Sequence, residues 1–275
     1  MPDLKQKTIF VSGASRGIGL AIALRAAKDG ANVALIAKTA DPHPKLEGTV
    51  YTAAEQIEEA GGKALPIVGD IRNEGEVEAA VEQTVDRFGG IDIAINNASA
   101  INLAGTEALE MKRYDLMQDI NTRGTFVVSK HCAPHLRQAE NPHVLTLSPP
   151  LSLDPKWAKS HVGYTLAKFG MSFCTLGMAE EFRDDGIAFN SLWPRTLVAT
   201  AAVQNLLGGD EAMAKSRKPE VVSDSAHAVL TRPSRECTGN FFLCEDVLGE
   251  EGVTDLSQYS YVEDADLQTD LFVEE

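Results

Sequence analysis

Short apolar runs alternate along the chain with longer segments of helical period. The apolar runs predict strands at residues 8–12, 32–37, 63–68, 91–96, 143–147, 187–192 and 238–243. The segments between them predict helices at residues 20–28, 51–60, 74–88, 114–134 and 164–182. The strands are apolar throughout, which is typical of a parallel sheet covered by helices on both faces. The pattern therefore predicts a single α/β domain with a doubly wound, Rossmann-like sheet of about seven strands.

Two segments depart from this rhythm. Residues 39–50, with the sequence Asp41-Pro42-His43-Pro44 inside them, form a long connection between the second strand and the next helix. Residues 245–275 contain eleven acidic residues and no Lys, Arg or His. Aromatic and leucine side chains in this acidic tail, such as Tyr259 and Phe272, favour a tail that docks on the domain. The alternative is a frayed terminus.

Composition narrows the class of function. The net charge of −15 disfavours nucleic acid and anionic membranes as partners, because both would repel the chain. No secretory signal and no membrane-length apolar run is present, so we expect a cytoplasmic protein. No spacing of His and Cys indicates a metal site, and we expect free thiols in a reducing compartment. The four cysteines are Cys132, Cys174, Cys237 and Cys244.

A glycine-rich loop joins the first strand to the first helix. Glycines at such a turn let a pyrophosphate approach the backbone, and the helix N-terminus supplies free N–H groups. The spacing is G-x-x-x-G-x-G, and its position between a strand and a helix raises its weight as a dinucleotide site. The predicted cofactor-binding residues of this loop are Gly13, Ser15, Arg16, Gly17, Ile18 and Gly19.

The choice of cofactor is predicted at the end of the second strand. An acidic residue there would bind the ribose 2′-hydroxyl of NAD, but none is present. Arg16 and Lys38 could instead donate to a 2′-phosphate, so we expect NADP(H) rather than NAD(H), although both could be ordinary surface cations. Asp70 and Ile71, after the third strand, are placed to meet the adenine. Asp70 could equally be a helix N-cap.

Tyr164 and Lys168 lie four residues apart at the start of a predicted helix. This spacing stacks the two side chains on one face, one turn apart. An ammonium near a phenol favours phenolate and lowers its pKa, which would let the pair exchange a proton with a carbonyl or an alcohol. Alone the spacing is common in helices, so its weight comes from the glycine loop upstream.

These motifs together resemble a classical short-chain dehydrogenase/reductase over about residues 5–245. The motifs are the glycine loop, Asn96-Asn97-Ala98, Asn121-Thr122-Arg123-Gly124 and Tyr164…Lys168. Finer features, including Leu147-Ser148-Pro149-Pro150-Leu151, resemble the hydroxysteroid dehydrogenase-like protein 2 subgroup. Some members of that subgroup carry a sterol-carrier domain, which we do not expect in these residues.

The resemblance implies a role for each matching position. Tyr164 would be the general acid/base, and Lys168 would hold the nicotinamide ribose. Asn121 would hold a water in a proton relay to Lys168, unless its side chain only bridges a helix kink. The remaining positions would contact the cofactor: Asn97 and Ala98 along its ribose, and Pro194 and Thr196 at the nicotinamide carboxamide.

Three positions depart from the family pattern. Ser99 and Arg195 replace glycines near the cofactor. The family's catalytic serine would fall at Leu151. The nearest serines are Ser148, which ends the fifth strand, and Ser152, which lies in an irregular loop. The end of the strand favours Ser148 as the group that polarises the substrate oxygen.

Two classes of function remain open at this point. The first is an NADP(H)-dependent oxidoreductase acting on a carbonyl or secondary alcohol, and the second is an NADP(H)-binding module without turnover. An enoyl reductase fits the fold less well. Apolar residues within 196–222 predict a cover over an apolar substrate pocket. By resemblance we expect a homodimer or homotetramer joined through the helices at 114–134 and 164–182.

Overall fold

The computed structural model describes residues 3–42 and 47–274. Its centre is one seven-stranded parallel sheet in the order β3-β2-β1-β4-β5-β6-β7. The strands are β1 Thr8–Ser12, β2 Asn32–Ala37, β3 Lys63–Val68, β4 Ile93–Asn96, β5 His143–Thr146, β6 Ala188–Trp193 and β7 Phe241–Leu243. The prediction of a doubly wound parallel sheet in one domain is confirmed, and the strand ends differ from prediction by a few residues.

Helices cover both faces of the sheet. They are α1 Gly17–Ala27, α2 Val50–Glu59, α3 Glu74–Phe88, α4 Met111–Met117, α5 Gly124–Leu136, α6 Val162–Glu181, α7 Ala201–Leu206, α8 Gly209–Ala214, α9 Glu220–Leu230 and α10 Cys244–Glu250. Helix α9 was not predicted: its first residues were placed in the cover expected at 196–222, and residues 223–230 were assigned to no element. Part of the 39–50 connection, residues 43–46, lies outside the described residues.

Strand β1 shows how the two cores form. Ile9 and Val11 point into the cluster that packs against α1 and α9, while Phe10 points into the cluster under α3 and α5. All three side chains are fully buried. Successive side chains along this one strand therefore enter both cores, which is why its three central positions are all apolar.

The long helix predicted at 114–134 is interrupted. Helices α4 and α5 are joined by a π-helical turn, Gln118–Arg123, which contains Asn121. Such turns are rare and widen the helix locally. Here the turn places Asn121 against the chain that follows β4.

Residues 251–274 run back over the carboxyl edge of the sheet. Leu197 N–H donates to the Gln268 carbonyl at 2.9 Å, and Asp270 N–H donates to the Arg195 carbonyl at 2.8 Å. These two bonds flank an antiparallel bridge between Thr196 and Thr269. The acidic segment is therefore paired with the loop that follows β6, directly above the ends of the strands.

Candidate active site

The predicted site residues follow different strands but lie at one edge of the sheet. The glycine loop follows β1, Asn97 follows β4, Ser148 follows β5 and Pro194 follows β6. These four strands are consecutive neighbours in the parallel sheet, so their carboxyl ends meet. Strand β1 lies between β2 and β4, where the chain reverses direction across the sheet. A crevice at this position is where doubly wound sheets bind ligands.

The glycine loop has the geometry of an anion site. Gly13 has φ +73°, and a Cβ there would lie 2.7 Å from the Cα of Ala98. The residue that precedes α1, Arg16, provides no side-chain cap, and the first turn of α1 contains no acid. The first N–H groups of α1 are therefore available to a pyrophosphate. Thr200, which the sequence did not single out, faces Gly17 across the loop.

Asn97 braces the loop from the side of β4. Its Nδ2 donates to the carbonyls of Ser12 and Gly13 at 3.1 and 2.8 Å. The hydroxyl of Ser12 accepts from the backbone N–H groups of Asn97 and Ala98, both at 3.2 Å. The Asn97 side chain is thus committed to holding the loop in place, and Ser12 is a supporting residue that no sequence motif marks.

Arg16 lies across the rim of the crevice. Its Nε donates to the Glu47 carbonyl at 2.8 Å, and its Nη2 to the Gly48 carbonyl at 2.5 Å. The guanidinium therefore holds the connection between β2 and α2 beside the loop.

Lys38 lies at the end of β2, with 57% of its side chain exposed and its Nζ 3.4 Å from Asp70. Asp70 accepts hydrogen bonds from the Arg72 side chain, which lowers the pKa of Asp70 to about 2. The prediction that Asp70 could cap a helix is wrong, because Asn73 caps α3 through a bond to Gly75 N–H.

Three other predicted cofactor residues are packing residues in this structure. Ser15 and Ile71 are buried, and Ile18 packs against the main core. The Ile71 side chain contacts Gly124, where a larger residue would not fit.

Tyr164 and Lys168 lie on the first turns of α6, facing the sheet. Lys168 Nζ donates to the Leu147 carbonyl at 2.9 Å and lies 5.0 Å from the centroid of the Trp193 ring. Burial lowers the pKa of Lys168 to about 7, while the nearby Asp270 carboxylate opposes that shift. The ammonium is thus held at a fixed place beneath the end of β5.

The pKa of Tyr164 moves opposite to expectation. Burial raises it, and the negative charge of Asp270 raises it further. The lysine was expected to lower this pKa, but burial of the phenol and the Asp270 carboxylate set the direction of the shift. Tyr164 is only 5% exposed.

Asn121 is fully buried in the π-helical turn. Its Oδ1 accepts from Ala100 N–H at 2.8 Å, and its Nδ2 donates to the Ala100 carbonyl at 3.0 Å. The side chain therefore ties the helix irregularity to the chain after β4. This is the bridging role that was the alternative to holding a water.

The structure does not bring Ser148 to Tyr164. Its hydroxyl is completely buried and lies 2.8 Å from the Ser191 hydroxyl, which in turn donates to Thr175 at 2.9 Å. Thr175 is eleven residues beyond Tyr164 on α6, roughly 16 Å along the helix axis. The preference for Ser148 as the group that polarises a substrate is therefore corrected: the side chain belongs to the packing between β5, β6 and α6.

Ser152 does not replace it. Its hydroxyl accepts from Asp154 N–H at 3.2 Å and shapes the turn before α6. Among the described residues, neither serine is hydrogen bonded to Tyr164.

The loop after β6 offers one unused polar atom. Pro194 is buried, and the hydroxyl of Thr196 is buried without a hydrogen-bond partner within residues 3–42 and 47–274. A buried hydroxyl of this kind fits a carboxamide that would pair with it. Arg195, which replaces a family glycine, forms an ion pair with Asp246 at 2.7 Å.

An aromatic box surrounds the face of Tyr164. Phe272 is its centre and is 4% exposed. Five rings lie with centroids 5.3–6.3 Å from that of Phe272: Trp157, His161, Tyr164, Phe169 and Trp193. The sequence marked Phe272 only as one apolar residue of an acidic segment, and its place in the fold could not be read from that.

The cover predicted within 196–222 has a different arrangement. Leu197, Val203 and Ala212 form a small cluster of their own, to which Leu207 and Met213 add, while Leu206 is 61% exposed. The apolar surface around Tyr164 is thus supplied by the aromatic box. In the described parts of the chain, no group of three His, Cys, Asp or Glu residues could hold a metal ion. No described helix is long and apolar enough to span a bilayer.

Comparison with known proteins identifies the family of this chain. The family model described as short chain dehydrogenase matches residues 7–209. The hydroxysteroid dehydrogenase-like protein 2 of Danio rerio is 56% identical over 97% of this chain, and that of Homo sapiens is 52% identical over 98%. The chain spans 64% and 63% of the length of these two relatives.

Solved structures agree over nearly the whole chain. A putative dehydrogenase from Xanthomonas campestris is 56% identical with a TM-score of 0.97, and the match covers 99% of this chain and 100% of that one. A short chain dehydrogenase from Mycobacterium thermoresistibile is 64% identical with a TM-score of 0.94, covering 99% and 96%. The chain belongs to the short-chain dehydrogenase/reductase family of nicotinamide-dependent oxidoreductases and is similar to its hydroxysteroid dehydrogenase-like protein 2 subgroup.

Proposed function

We propose that the protein is an NADP(H)-dependent enzyme that transfers a hydride between the nicotinamide and an apolar carbonyl or secondary alcohol. The observation that carries this proposal is the position of Lys168. Its Nζ is anchored on the Leu147 carbonyl at the same sheet edge as the glycine loop, one helical turn from Tyr164. Burial of an amine and a phenol at a ligand crevice lowers the stability of the fold, and such buried pairs are typical of sites that transfer protons.

Each residue of the site has its own role in this proposed reaction. The chemistry that the nicotinamide would supply when bound is the transfer of the hydride in either direction. Tyr164 gives its phenolic proton to the carbonyl oxygen during reduction and takes it back during oxidation. Lys168 would hold the ribose hydroxyls of the cofactor and stabilise the negative charge that develops on Tyr164. The Thr196 hydroxyl, which has no partner among the described residues, would hold the carboxamide.

The preference for NADP(H) is supported by charge at the rim of the crevice. Arg16 and Lys38 flank the place where an adenosine ribose would lie, and β2 ends without an acid. Asp70 is close to Lys38, but Arg72 pairs with that carboxylate. A 2′-phosphate would therefore meet net positive charge.

An apolar substrate is supported by the aromatic box. Its walls are aromatic rings, which include Trp157 and Trp193. Small charged substrates would lose hydration in such a site without gaining a partner.

The second candidate is a non-catalytic NADP(H)-binding module. It is favoured by the buried position of Ser148, which leaves the substrate oxygen without the usual hydroxyl, and by the raised pKa of Tyr164. The intact Tyr164, Lys168 and Thr196 favour the enzyme.

One experiment separates the two candidates. The purified protein is mixed with NADPH and a panel of ketones and aldehydes, and NADPH oxidation is followed beside the Tyr164→Phe variant. We expect turnover that Tyr164→Phe reduces at least about a hundredfold, because general acid catalysis of this kind contributes that much. Tyr51→Phe, an exposed tyrosine on α2, is the control. Cofactor binding without oxidation, unaffected by Tyr164→Phe, would establish the module instead.

We also propose a homodimer or homotetramer in the cytoplasm. Apolar side chains that remain exposed on α5 and α6 support the assembly, and the free cysteines fit a reducing compartment. The exposed side chains are Phe126, Leu166, Phe173 and Leu176.

A further inference from the structure

The ring of Phe272 fills a box built for a flat aromatic group. Its centroid lies 5.3 Å from that of Phe169 and 6.1 Å from that of Tyr164. The rings are tilted or edge-on to Phe272, which are the favourable arrangements for aromatic pairs at these distances. The box therefore matches one planar ring better than it matches a flexible chain.

The position of this ring overlaps with the place of a substrate. A carbonyl that receives the Tyr164 proton must lie against the phenol, so the group attached to that carbonyl must lie beside the Tyr164 ring. That space is occupied by the ring of Phe272, which is inclined by 32° to the ring of Tyr164. A substrate and Phe272 cannot occupy it together.

Several features raise the free energy of the arrangement in which Phe272 fills the aromatic box. Phe272 has φ 70°, a left-handed conformation that is an outlier for a bulky residue. The Asp270 carboxylate lies in a dry environment near Lys168, and burial raises its pKa to about 7. The segment is tied from outside by an exposed ion pair between Lys156 and Glu274, a contact of small worth.

The chain that leads to the segment is also loosely packed. Tyr261 is 49% exposed and Val262 is 43% exposed. Residues 263 and 264 are exposed as well. Residues 261–264 can therefore follow a movement of residues 268–274, which would break the backbone hydrogen bonds of Gln268 and Asp270 and uncover Val273.

We propose that the aromatic box is the substrate's ring-binding subsite and that Phe272 is its internal occupant, displaced by substrates that carry an aryl group beside the carbonyl. The inference rests on the proposed oxidoreductase function, whose substrate class it names. An aryl ketone such as acetophenone replaces Phe272 ring for ring, whereas cyclohexyl methyl ketone has similar size but is not flat.

The first test is kinetic. Phe272→Ala removes the competing ring, so more of the protein is ready to bind and the apparent affinity rises by the inverse of the open fraction. We expect kcat/KM for acetophenone to rise about tenfold or more, mainly through KM, with a smaller gain for cyclohexyl methyl ketone. Tyr261→Ala, which removes an exposed ring from the same part of the chain, should change neither value.

A fall in kcat/KM for both ketones on Phe272→Ala would overturn the inference, because Phe272 would then be a fixed wall of the pocket. Equal gains for the two ketones would overturn the aryl preference.

The second test needs no turnover. The two tryptophans of the chain, Trp157 and Trp193, both contact Phe272, and the Trp193 indole N–H donates to the Leu271 carbonyl at 2.9 Å. Displacement of the segment should therefore change the tryptophan fluorescence. We expect 1-phenylethanol to produce this change with an apparent Kd about tenfold lower in Phe272→Ala than in the native protein, and 1-cyclohexylethanol to bind more weakly.

The two tests together separate the inference from the proposed function. Tight binding of 1-phenylethanol without turnover of any ketone would leave the subsite standing and reject the enzyme. Turnover without tighter binding in Phe272→Ala would reject the subsite.

A third variant keeps the inference testable if Phe272→Ala does not fold. Glu274→Gln loosens the segment from the surface without opening the box, and it should shift both readouts in the same direction by a smaller factor. If Glu274→Gln left both unchanged while Phe272→Ala unfolded in a thermal melt, the box would be part of the core and the inference would be wrong.

Discussion

The Nζ of Lys168 donates a 2.9 Å hydrogen bond to the backbone carbonyl of Leu147, the residue that follows β5. The same nitrogen lies 5.0 Å from the centroid of the Trp193 ring at the end of β6. Two neighbouring strands thus fix one amine, and the amine fixes the start of α6 that carries Tyr164. This contact explains how the sheet edge sets the geometry of the proton-transferring pair.

Replacement of this amine should weaken both cofactor binding and turnover. We expect Lys168→Met to lower kcat/KM by about a hundredfold or more, because the charge that stabilises phenolate is lost. Lys168→Arg should not rescue it, since a side chain that is 3% exposed leaves no room for a guanidinium. NADPH affinity and single-turnover rates measure the two effects. A Lys168→Met variant with native kcat would contradict the role.

Cofactor choice should depend on Lys38. We expect Lys38→Ala to raise the Kd for NADPH about tenfold while leaving that for NADH unchanged, because only NADPH carries the 2′-phosphate. Arg16→Ala should weaken both cofactors, since Arg16 also holds the carbonyls of Glu47 and Gly48 beside the loop. Lys63→Ala, exposed at the start of β3, is the control in calorimetric titrations. An equal loss for NADH in Lys38→Ala would remove the basis for the NADP(H) preference.

The buried serine should matter for stability rather than for chemistry. Ser148→Ala breaks the hydroxyl chain to Ser191 and Thr175, and we expect it to lower the free energy of unfolding by about 1 kcal/mol. Its kcat should stay within about threefold of native, in keeping with a group that touches no substrate. Chemical denaturation and steady-state kinetics measure the two quantities, with Ser152→Ala beside it. A loss in kcat of a hundredfold would return Ser148 to the active site.

Acid should destabilise the fold through His143. Burial lowers the pKa of this histidine to about 4, whereas an unfolded histidine titrates near 6.5. The unfolded chain therefore binds more protons between these values, so stability is full above pH 6.5 and is lost as the pH falls. At pH 5.5 the loss from this group is on the order of 1 kcal/mol.

The His143→Gln variant tests this source of acid sensitivity. It should be less stable than the native protein at pH 7 but should lose less on going from pH 7 to pH 5.5, as measured by urea unfolding. An unchanged loss would show that His143 does not titrate as described. His135→Gln, a histidine near the end of α5, is the matched control.

The exposed apolar surface of α6 should be an interface between copies of the chain. Phe173 is 60% exposed on this helix, close in sequence to Leu166 and Leu176. We expect Phe173→Asp to dissociate the assembly to monomers in light scattering, because a carboxylate would be buried without a partner. Leu206→Asp on α7, equally exposed, should leave the assembly intact. A native protein that is already monomeric would remove this proposal.

The elements with a local signal were predictable from the sequence. The uninterrupted apolar strands, the glycine loop and the four-residue spacing of Tyr164 and Lys168 each depend on neighbours within one element. The sheet then brings them to one edge because all its strands are parallel.

Features that depend on distant contacts were not predictable. The Ser148 side chain is oriented by its contact with Ser191, which is 43 residues away in the sequence. Counting residues back from Tyr164 could not reveal this orientation. The π-helical turn depends on the fit of Asn121 to Ala100. The raised pKa of Tyr164 comes first from burial of the phenol and then from Asp270, which the sequence placed only in an acidic tail.

The bond between Trp193 and Leu271 joins residues 78 positions apart. All seven strands precede Leu271 in the sequence, so this contact is completed after the last strand when the chain is synthesised. A growing chain on the ribosome completes β6 well before residue 271 is made. The nascent domain therefore passes through a stage in which its sheet is assembled and its aromatic box is open, and it is at this stage that exposed apolar surface most needs protection from aggregation.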